Sequence, residues 1–367
     1  MKKRLFSLLL VSALVFTLSG CGEKSLLRES DPVTLNFWHV YGEQSGSPMD
    51  LLVQEFNRTV GQEKGVRVQV TNLSSASKIG GFLKEAQKGG RDVPEMPDLF
   101  TCHISDATAL GSDNLVDWNA RFTAEELSNF VPGFLADGMT EDGTLLLFPI
   151  SKSTQLLMCN GSGFARSLAQ GHVVVSDLYS NTQVMTGDVL SGLGSSAAIL
   201  YYNDTVTYRD GTQEPMDLHV LPMPKTAGAD ALMTQAGVGL CAYKTTDQKA
   251  EAAALFVRWL TESERNLDFV AQTGYMPVRN GAFDAIENYD KFPEPTESYR
   301  QLYAALKIMQ ESYTPLSEPR FEGYYGKVSQ LYDGLRQMQQ KLPARAAAGE
   351  SIDTLAEETW ALLCAIH

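Results

Sequence analysis

The sequence predicts an α/β chain of two lobes, and three observations carry that prediction. Strands alternate with helices over roughly the first 120 residues, which is the pattern of a largely parallel sheet. The rhythm breaks near residue 160 and resumes as strands, one strong amphipathic helix and a helical last third. The chain, at 367 residues, exceeds what one hydrophobic core serves. "VTLNFWHV" (33–40) is a strand by its Val, Leu, Phe and Trp content. After the loop "YGEQSGSP", "MDLLVQEFNRTV" (49–60) places Leu51, Leu52, Phe56 and Val60 at helical spacing. "GVRVQVTNL" (65–73) alternates as a second strand, and "KIGGFLKEAQKGG" (78–90) is a helix stopped by glycines. "MPDLFTCHI" (96–104) is a third strand, and "DATALGSDNLVDW" (106–118) begins a helix or turn. Beyond "GTLLLFPISKSTQLLMCN" (143–160), strands are expected at "GLGSSAAILYY" (192–202), "LHVLPMPK" (218–225) and "AGVGLCAY" (236–243). Helices are expected over 247–264, 298–311, 324–341 and 351–365, with a turn at "TGYMPV" (273–278). In a parallel sheet ligands collect beyond the carboxyl ends of the strands, here loops 41–48 and 103–106.

The N-terminus carries its own signal. Lys2, Lys3 and Arg4 precede an apolar run, Leu5 to Leu18, that is too short for the roughly 20 residues of a membrane-spanning helix. This is the form of a secretory leader, and its ending, Leu18-Ser19-Gly20-Cys21, resembles the bacterial lipobox. Residues 1–20 are then a lipoprotein signal peptide, Cys21 is the acylated (palmitate-bearing) new N-terminus, and 21–30 is a tether. The competing reading is an uncleaved anchor with a stray cysteine. Several acyl chains hold a domain at a membrane firmly.

Composition narrows the function classes. The formal charge is −14, and loss of Lys2, Lys3 and Arg4 takes it to −17 (−14 minus 3). That excludes the basic footprint a nucleic-acid binder needs, while a local arginine could still hold a small anion. Cys102, Cys159, Cys241 and Cys364 stand in apolar contexts without a CxxC pair; an exported chain can form disulfides, though the sequence does not pair these four, and buried free thiols are the plainer reading. The five histidines lack metal-ligand spacing. HExxH, GxSxG, GxxxxGK[ST] and EF-hand patterns are all missing, so no metal, no cofactor and no enzymatic activity is expected.

Taken in order, "LNFWHVYGE", "LLVQEFN", "MPDLF", "FPISKSTQLLMCN", "GLGSSAAILYY", "AGVGLCAYKTTDQKAEAAALFVRWL" and "TGYMPVRNGAF" resemble the extracellular solute-binding proteins of bacterial ABC importers. The family is the one that contains the maltose-binding proteins, and the nearest look is to glycerol-3-phosphate-binding proteins. The resemblance implies a periplasmic-binding-protein-like fold: two α/β lobes joined by crossing segments and closing on one solute. It would place lobe 1 at 31–148 plus 238–312, and lobe 2 at 149–237 plus 313–367. It implies a receptor, lipid-anchored at the outer face of the cell membrane, that hands a sugar, polyol or glycerophosphoryl compound to a membrane permease. Two other readings stand beside it, a non-transporting relative of such receptors and an exported hydrolase.

Site residues follow from the resemblance position by position. Ser153 matches a ligand-bonding serine, Ser195 and Ser196 the serine pair of lobe 2, and Gly237 a glycine whose N–H faces the cleft. Tyr275 matches the lobe 1 turn tyrosine and Arg320 the phosphate-binding arginine. Each has an ordinary alternative: Tyr275 as a packed turn residue, Arg320 as a surface ion pair, and Trp38 and Tyr41 as core or rim aromatics. The family pattern is also interrupted. Only 34 residues separate Asn160 from Ser195, which predicts a truncated lobe 2 with one sheet face uncovered. Where the family has a tyrosine and a glutamate in lobe 1, this chain has Ser75, Ser77, His103 and Asp106.

Overall fold

A computed structural model describes residues 25–41, 46–73, 76–90, 94–160, 179–225, 228–321 and 323–350. The first sheet has four strands in the order β10-β3-β1-β2. They are β1 (Val33–His39), β2 (Val66–Asn72), β3 (Leu99–Cys102) and β10 (Gly239–Ala242). β1 runs parallel to β2 from Val33↔Val66 to His39↔Asn72, and parallel to β3 at Phe37↔Leu99. β10 returns antiparallel to β3. Helices α1 (Pro48–Arg58), α2 (Val60–Lys64), α3 (Ala76–Lys88) and α4 (Ile104–Leu110) follow the strands as the alternation predicted. The Ser47 hydroxyl accepts from Asp50 N–H at 3.3 Å and Pro48 opens α1, two ordinary helix-start devices. The helix expected from residue 106 starts at Ile104 and stops at Gly111, whose φ of +87° ends it.

Two short helices were not foreseen, α5 (Ala124–Ser128) and α6 (Pro132–Asp137). Their runs are too brief to show a helical period, although Thr123 and Glu126 form a capping box at α5. A second, three-stranded sheet has the order β5-β4-β8, from β4 (Gln155–Asn160), β5 (Ser191–Ser195) and β8 (Leu218–Leu221). Helix α7 (Ser180–Met185) covers β5, and Gly192 permits its approach, since an added Cβ would stand 2.6 Å from the Ser180 Cβ. The strand expected over 192–202 ends at Ser195. A 3₁₀ turn (Ser196–Tyr201) follows, started by the Ser195 hydroxyl accepting from Ala197 N–H at 3.4 Å. Strands β6 (Thr205–Thr207) and β7 (Gln213–Pro215) form an unforeseen hairpin around Gly211.

Strand β9 (Leu232–Gln235) pairs with β11 (Thr314–Ser317), and α8 (Asp247–Leu260) lies on β1. Three further helices, α9 (Ser263–Ala271), α10 (Asn280–Ala285) and α11 (Thr296–Ser312), precede β11, and α12 (Tyr324–Ala347) follows it. Phe256 of α8 meets Phe37 at 5.8 Å and Phe56 at 5.0 Å edge to face, which locks α8 and α1 to the first sheet. Helix α11 packs on β8, and the Gln301 side chain accepts from Val220 N–H at 3.1 Å. Trp38 is buried in the core beside β3, and Cys102 and Cys241 are buried free thiols with sulfurs 3.7 Å apart. Cys21, Cys364 and the helix expected over 351–365 lie outside the described residues.

Among the described residues, two leucines of the second sheet are exposed in register. Leu193 and Leu221 both stand opposite Leu157 in the ladder, and they are 52% and 40% exposed. Exposed leucines aligned across a sheet invite association. Leu193→Lys with Leu221→Lys should lower any concentration-dependent self-association without moving the melting temperature by more than a degree or two. Analytical ultracentrifugation checks it, and unchanged association in the double variant would clear this face.

Candidate functional site

The segment 151–154 carries the chain from the first sheet into β4, and its backbone gathers the site. Ser153 N–H donates to the Ala236 carbonyl and Ala236 N–H to the Ser153 carbonyl, both at 3.0 Å. Lys152 N–H donates to the Met276 carbonyl at 3.2 Å, which fastens the turn 273–278 alongside. Ser196 N–H donates to the Thr154 carbonyl at 2.8 Å. Four of the sequence-predicted residues therefore converge: Ser153, Ser196 and Gly237 on the crossing backbone, and Tyr275 one residue from Met276. Gly237 has φ +107°, and a Cβ there would lie 3.8 Å from Ser153 Oγ, so its glycine is required by conformation more than by space.

Tyr275 also packs, its ring edge-on to Tyr41 at 6.1 Å, while its carbonyl accepts from the Tyr303 hydroxyl at 3.1 Å. Tyr41 is buried, with its hydroxyl 3.0 Å from Ser151 Oγ. Ser195 stands apart, its hydroxyl used in the 3₁₀ cap. Arg320 is turned onto the C-terminal end of α6. Its guanidinium donates to the carbonyls of Ala136 at 3.1 Å, Asp137 at 3.2 Å and Met139. A cation there is favoured by the negative end of the helix dipole.

Sequence reasoning missed a charged group beneath Ser153. The Lys152 ammonium, 1% exposed, is ion-paired to buried Asp137. Lys152 of segment 151–154 and Arg320, which follows β11, are thus both tied to the end of α6. The only signal was a lysine set among small and apolar residues in "PISKST". His103, which caps α4 at the carboxyl end of β3, lies in the same field. Burial first, and then the Lys152 cation, push its imidazole down to about 4, against a smaller opposite pull from Asp137.

A depressed histidine makes stability depend on pH. Between about pH 4 and the unfolded value of 6.5 the unfolded chain binds more protons than the folded one. The contribution is therefore full above pH 6.5 and is lost as pH falls toward 4. We expect about 1–3 kcal/mol across that window, and His103→Gln should flatten it. Urea unfolding at pH 4.5, 5.5 and 7 reads the slope, and equal slopes in variant and wild type would rule His103 out as the source.

A cavity of ≈ 140 Å³ lies between α3 and α4 on one side and residues 321–326 on the other. Lys84, Ser105, Asp106, Phe321 and Tyr324 line it, which places aromatic rings opposite a carboxylate and an ammonium. Burial raises the Asp106 carboxyl above its ordinary range. Gly80 is what admits that side chain, since a Cβ at Gly80 would lie 2.1 Å from Asp106 Oδ1. No group of three or more metal-ligating side chains occurs among the described residues, and no described helix is long and apolar enough to cross a membrane. Ser75 and the side chain of Ser77 lie outside the described residues.

Residues 164–294 match the family model described as bacterial extracellular solute-binding protein. No curated protein sequence matches the chain. Among solved structures, a cyclic alpha-maltosyl-1,6-maltose binding protein from Arthrobacter globiformis is 14% identical with a TM-score of 0.63, over 92% of this chain and 99% of that one. UgpB from Mycobacterium tuberculosis, in complex with glycerophosphocholine, is 16% identical with a TM-score of 0.61, over 91% and 99%. A family 1 extracellular solute-binding protein from Alicyclobacillus acidocaldarius is 13% identical with a TM-score of 0.62, over 90% and 97%. These alignments cover nearly the whole of each relative. The chain therefore has the two-lobed, periplasmic-binding-protein-like fold of the extracellular solute-binding proteins, and residues 164–294 carry that family's sequence pattern.

Proposed function

We propose that the chain is a lipid-anchored extracellular receptor that closes on a sugar, polyol or glycerophosphoryl solute and delivers it to an ABC import permease. The observation that carries this is the convergence of Ser153, Ser196, Gly237 and Tyr275 on the crossing backbone between the two sheets. Hydroxyls and backbone amides are the donors and acceptors that a hydroxylated solute requires. The lobe division, 31–148 plus 238–312 and 149–237 plus 313–367, belongs to this reading, as does attachment through Cys21. Two of the relatives named above are a maltosyl-maltose binding protein and a protein in complex with glycerophosphocholine, which supports a non-enzymatic role of the same class. A second reading, a non-transporting relative, draws on the leucines exposed in register on the second sheet.

The test is thermal unfolding with neutral sugars, polyols and phosphorylated polyols. A solute that binds only the folded state raises the melting temperature by mass action, about 2.7 kcal/mol at a hundredfold excess over Kd. A rise with at least one class is expected, and a flat response across all of them favours the non-transporting reading. Attachment is tested separately. Cys21→Ala should release the protein from the membrane fraction, and full retention would mean another anchor.

A further inference from the structure

Three buried oxygens without partners lie in one line across the crossing segments. Gln155 stands opposite Ser195 in the β4–β5 ladder, so Thr154 and Ser196 are the next pair, joined by the 2.8 Å bond already described. On the other side Ser153 stands opposite Ala236, so Thr154 and Gln235 are the next positions along. The pairing across the three segments therefore sets Ser196, Thr154 and Gln235 side by side, and such neighbours have Cβ atoms about 4.5–5.5 Å apart. All three residues are 2% exposed or less, and Ser196 Oγ, Thr154 Oγ1 and Gln235 Oε1 have no hydrogen-bond partner. Buried polar atoms are almost always satisfied, so three in one row need an explanation.

We propose that the row Ser196–Thr154–Gln235 seats an uncharged, hydroxyl-bearing part of the solute, with Thr154 and Gln235 as specificity-determining residues. This rests on the receptor reading above. The chemistry selects a hydroxyl over a phosphate. Gln235 Oε1 only accepts, so it needs an O–H or N–H, and a phosphate dianion has neither. The two flanking hydroxyls can donate or accept as a solute O–H requires. The nearby cations are already engaged, Lys152 by Asp137 and Arg320 by three carbonyls of the α6 end. The Ser196 carbonyl lies against Gly274, where a Cβ would stand 2.9 Å from it, so the turn at 273–276 packs on the 3₁₀ turn at the Ser196 end of the row.

Thr154→Val and Gln235→Met remove the oxygens at nearly constant volume. Each is melted alone, and then with maltose, glycerol, glycerol 3-phosphate and glycerophosphocholine. Without solute, both variants should melt at or above the wild-type temperature, because an unsatisfied buried group has been removed. The wild type should respond more strongly to a neutral hydroxylated probe than to glycerol 3-phosphate, and each variant should bind that probe about tenfold more weakly. Variants that melt several degrees lower alone would show the oxygens bonded within the resting fold and overturn the proposal. Variants that bind the probe at wild-type strength would overturn it too. A wild type silent to every probe, with variants as stable as expected, sinks the receptor reading while supporting the unpaired state of the row.

Discussion

Replacing Asp137 with alanine should destabilise the protein by about 3–5 kcal/mol, the range for stranding one member of a buried ion pair. Lys152, 1% exposed and one residue from Ser153, would be left with its carboxylate partner gone. The loss should be largely cancelled in Asp137→Leu with Lys152→Met, because a buried pair and a well-packed apolar pair of similar volume are often near equal in stability. Denaturant unfolding of the single and double variants measures both. A single-variant loss below about 1 kcal/mol would mean that water reaches Lys152. Solute binding should fall in both variants, since the backbone of 152–154 is held in place through this pair.

Gly274→Ala carries the second large effect, about 2–5 kcal/mol. Two costs add: a left-handed residue with a Cβ, at about 1–2 kcal/mol, and overpacking at about 1–3 kcal/mol. Gly274 has φ +68°, and an added Cβ would stand 2.8 Å from Ile199 Cγ2 and 2.9 Å from the Ala197 Cα and the Ser196 carbonyl oxygen. The methyl therefore strikes backbone, which cannot swing aside, and forces the turn at 273–276 away from the 3₁₀ turn. Gly281, where an added Cβ meets nothing within 4 Å, is the control and should accept alanine within about 0.5 kcal/mol. Thermal unfolding distinguishes the two, and equal melting temperatures would show that the contact at Gly274 yields freely.

The first sheet was legible because β1, β2 and β3 run parallel and alternate with helices along the chain. "VTLNFWH" and "VRVQV" are apolar enough to name themselves, and the glycines and the Ser47-Pro48 pair punctuate the helices. Residues 191–202 were legible only in part. "GLGSSAAILYY" has strand composition throughout, and what ends the strand is the Ser195 hydroxyl turning back on Ala197 N–H, a local bond that no periodicity reveals. Ser153, Ser196, Gly237 and Tyr275 were named through resemblance, and the structure brings their backbones together on the crossing segment. Arg320 was named on the same ground, and its setting on the α6 carbonyls depends on a six-residue helix too short to read from sequence. Thr154 and Gln235 were missed since a single hydroxyl and a single amide have no period or spacing. Only the register of three segments puts them in line.

A solute held on the crossing backbone should slow amide hydrogen exchange there. Exchange would be followed at residues 151–155, 195–197, 235–238 and 273–276, with and without the solute that raises the melting temperature most. Slower exchange is expected in all four segments together, with α10 and the β6–β7 hairpin unchanged. Protection confined to the cavity at Lys84, Asp106 and Tyr324, with the crossing segments unaffected, would contradict it.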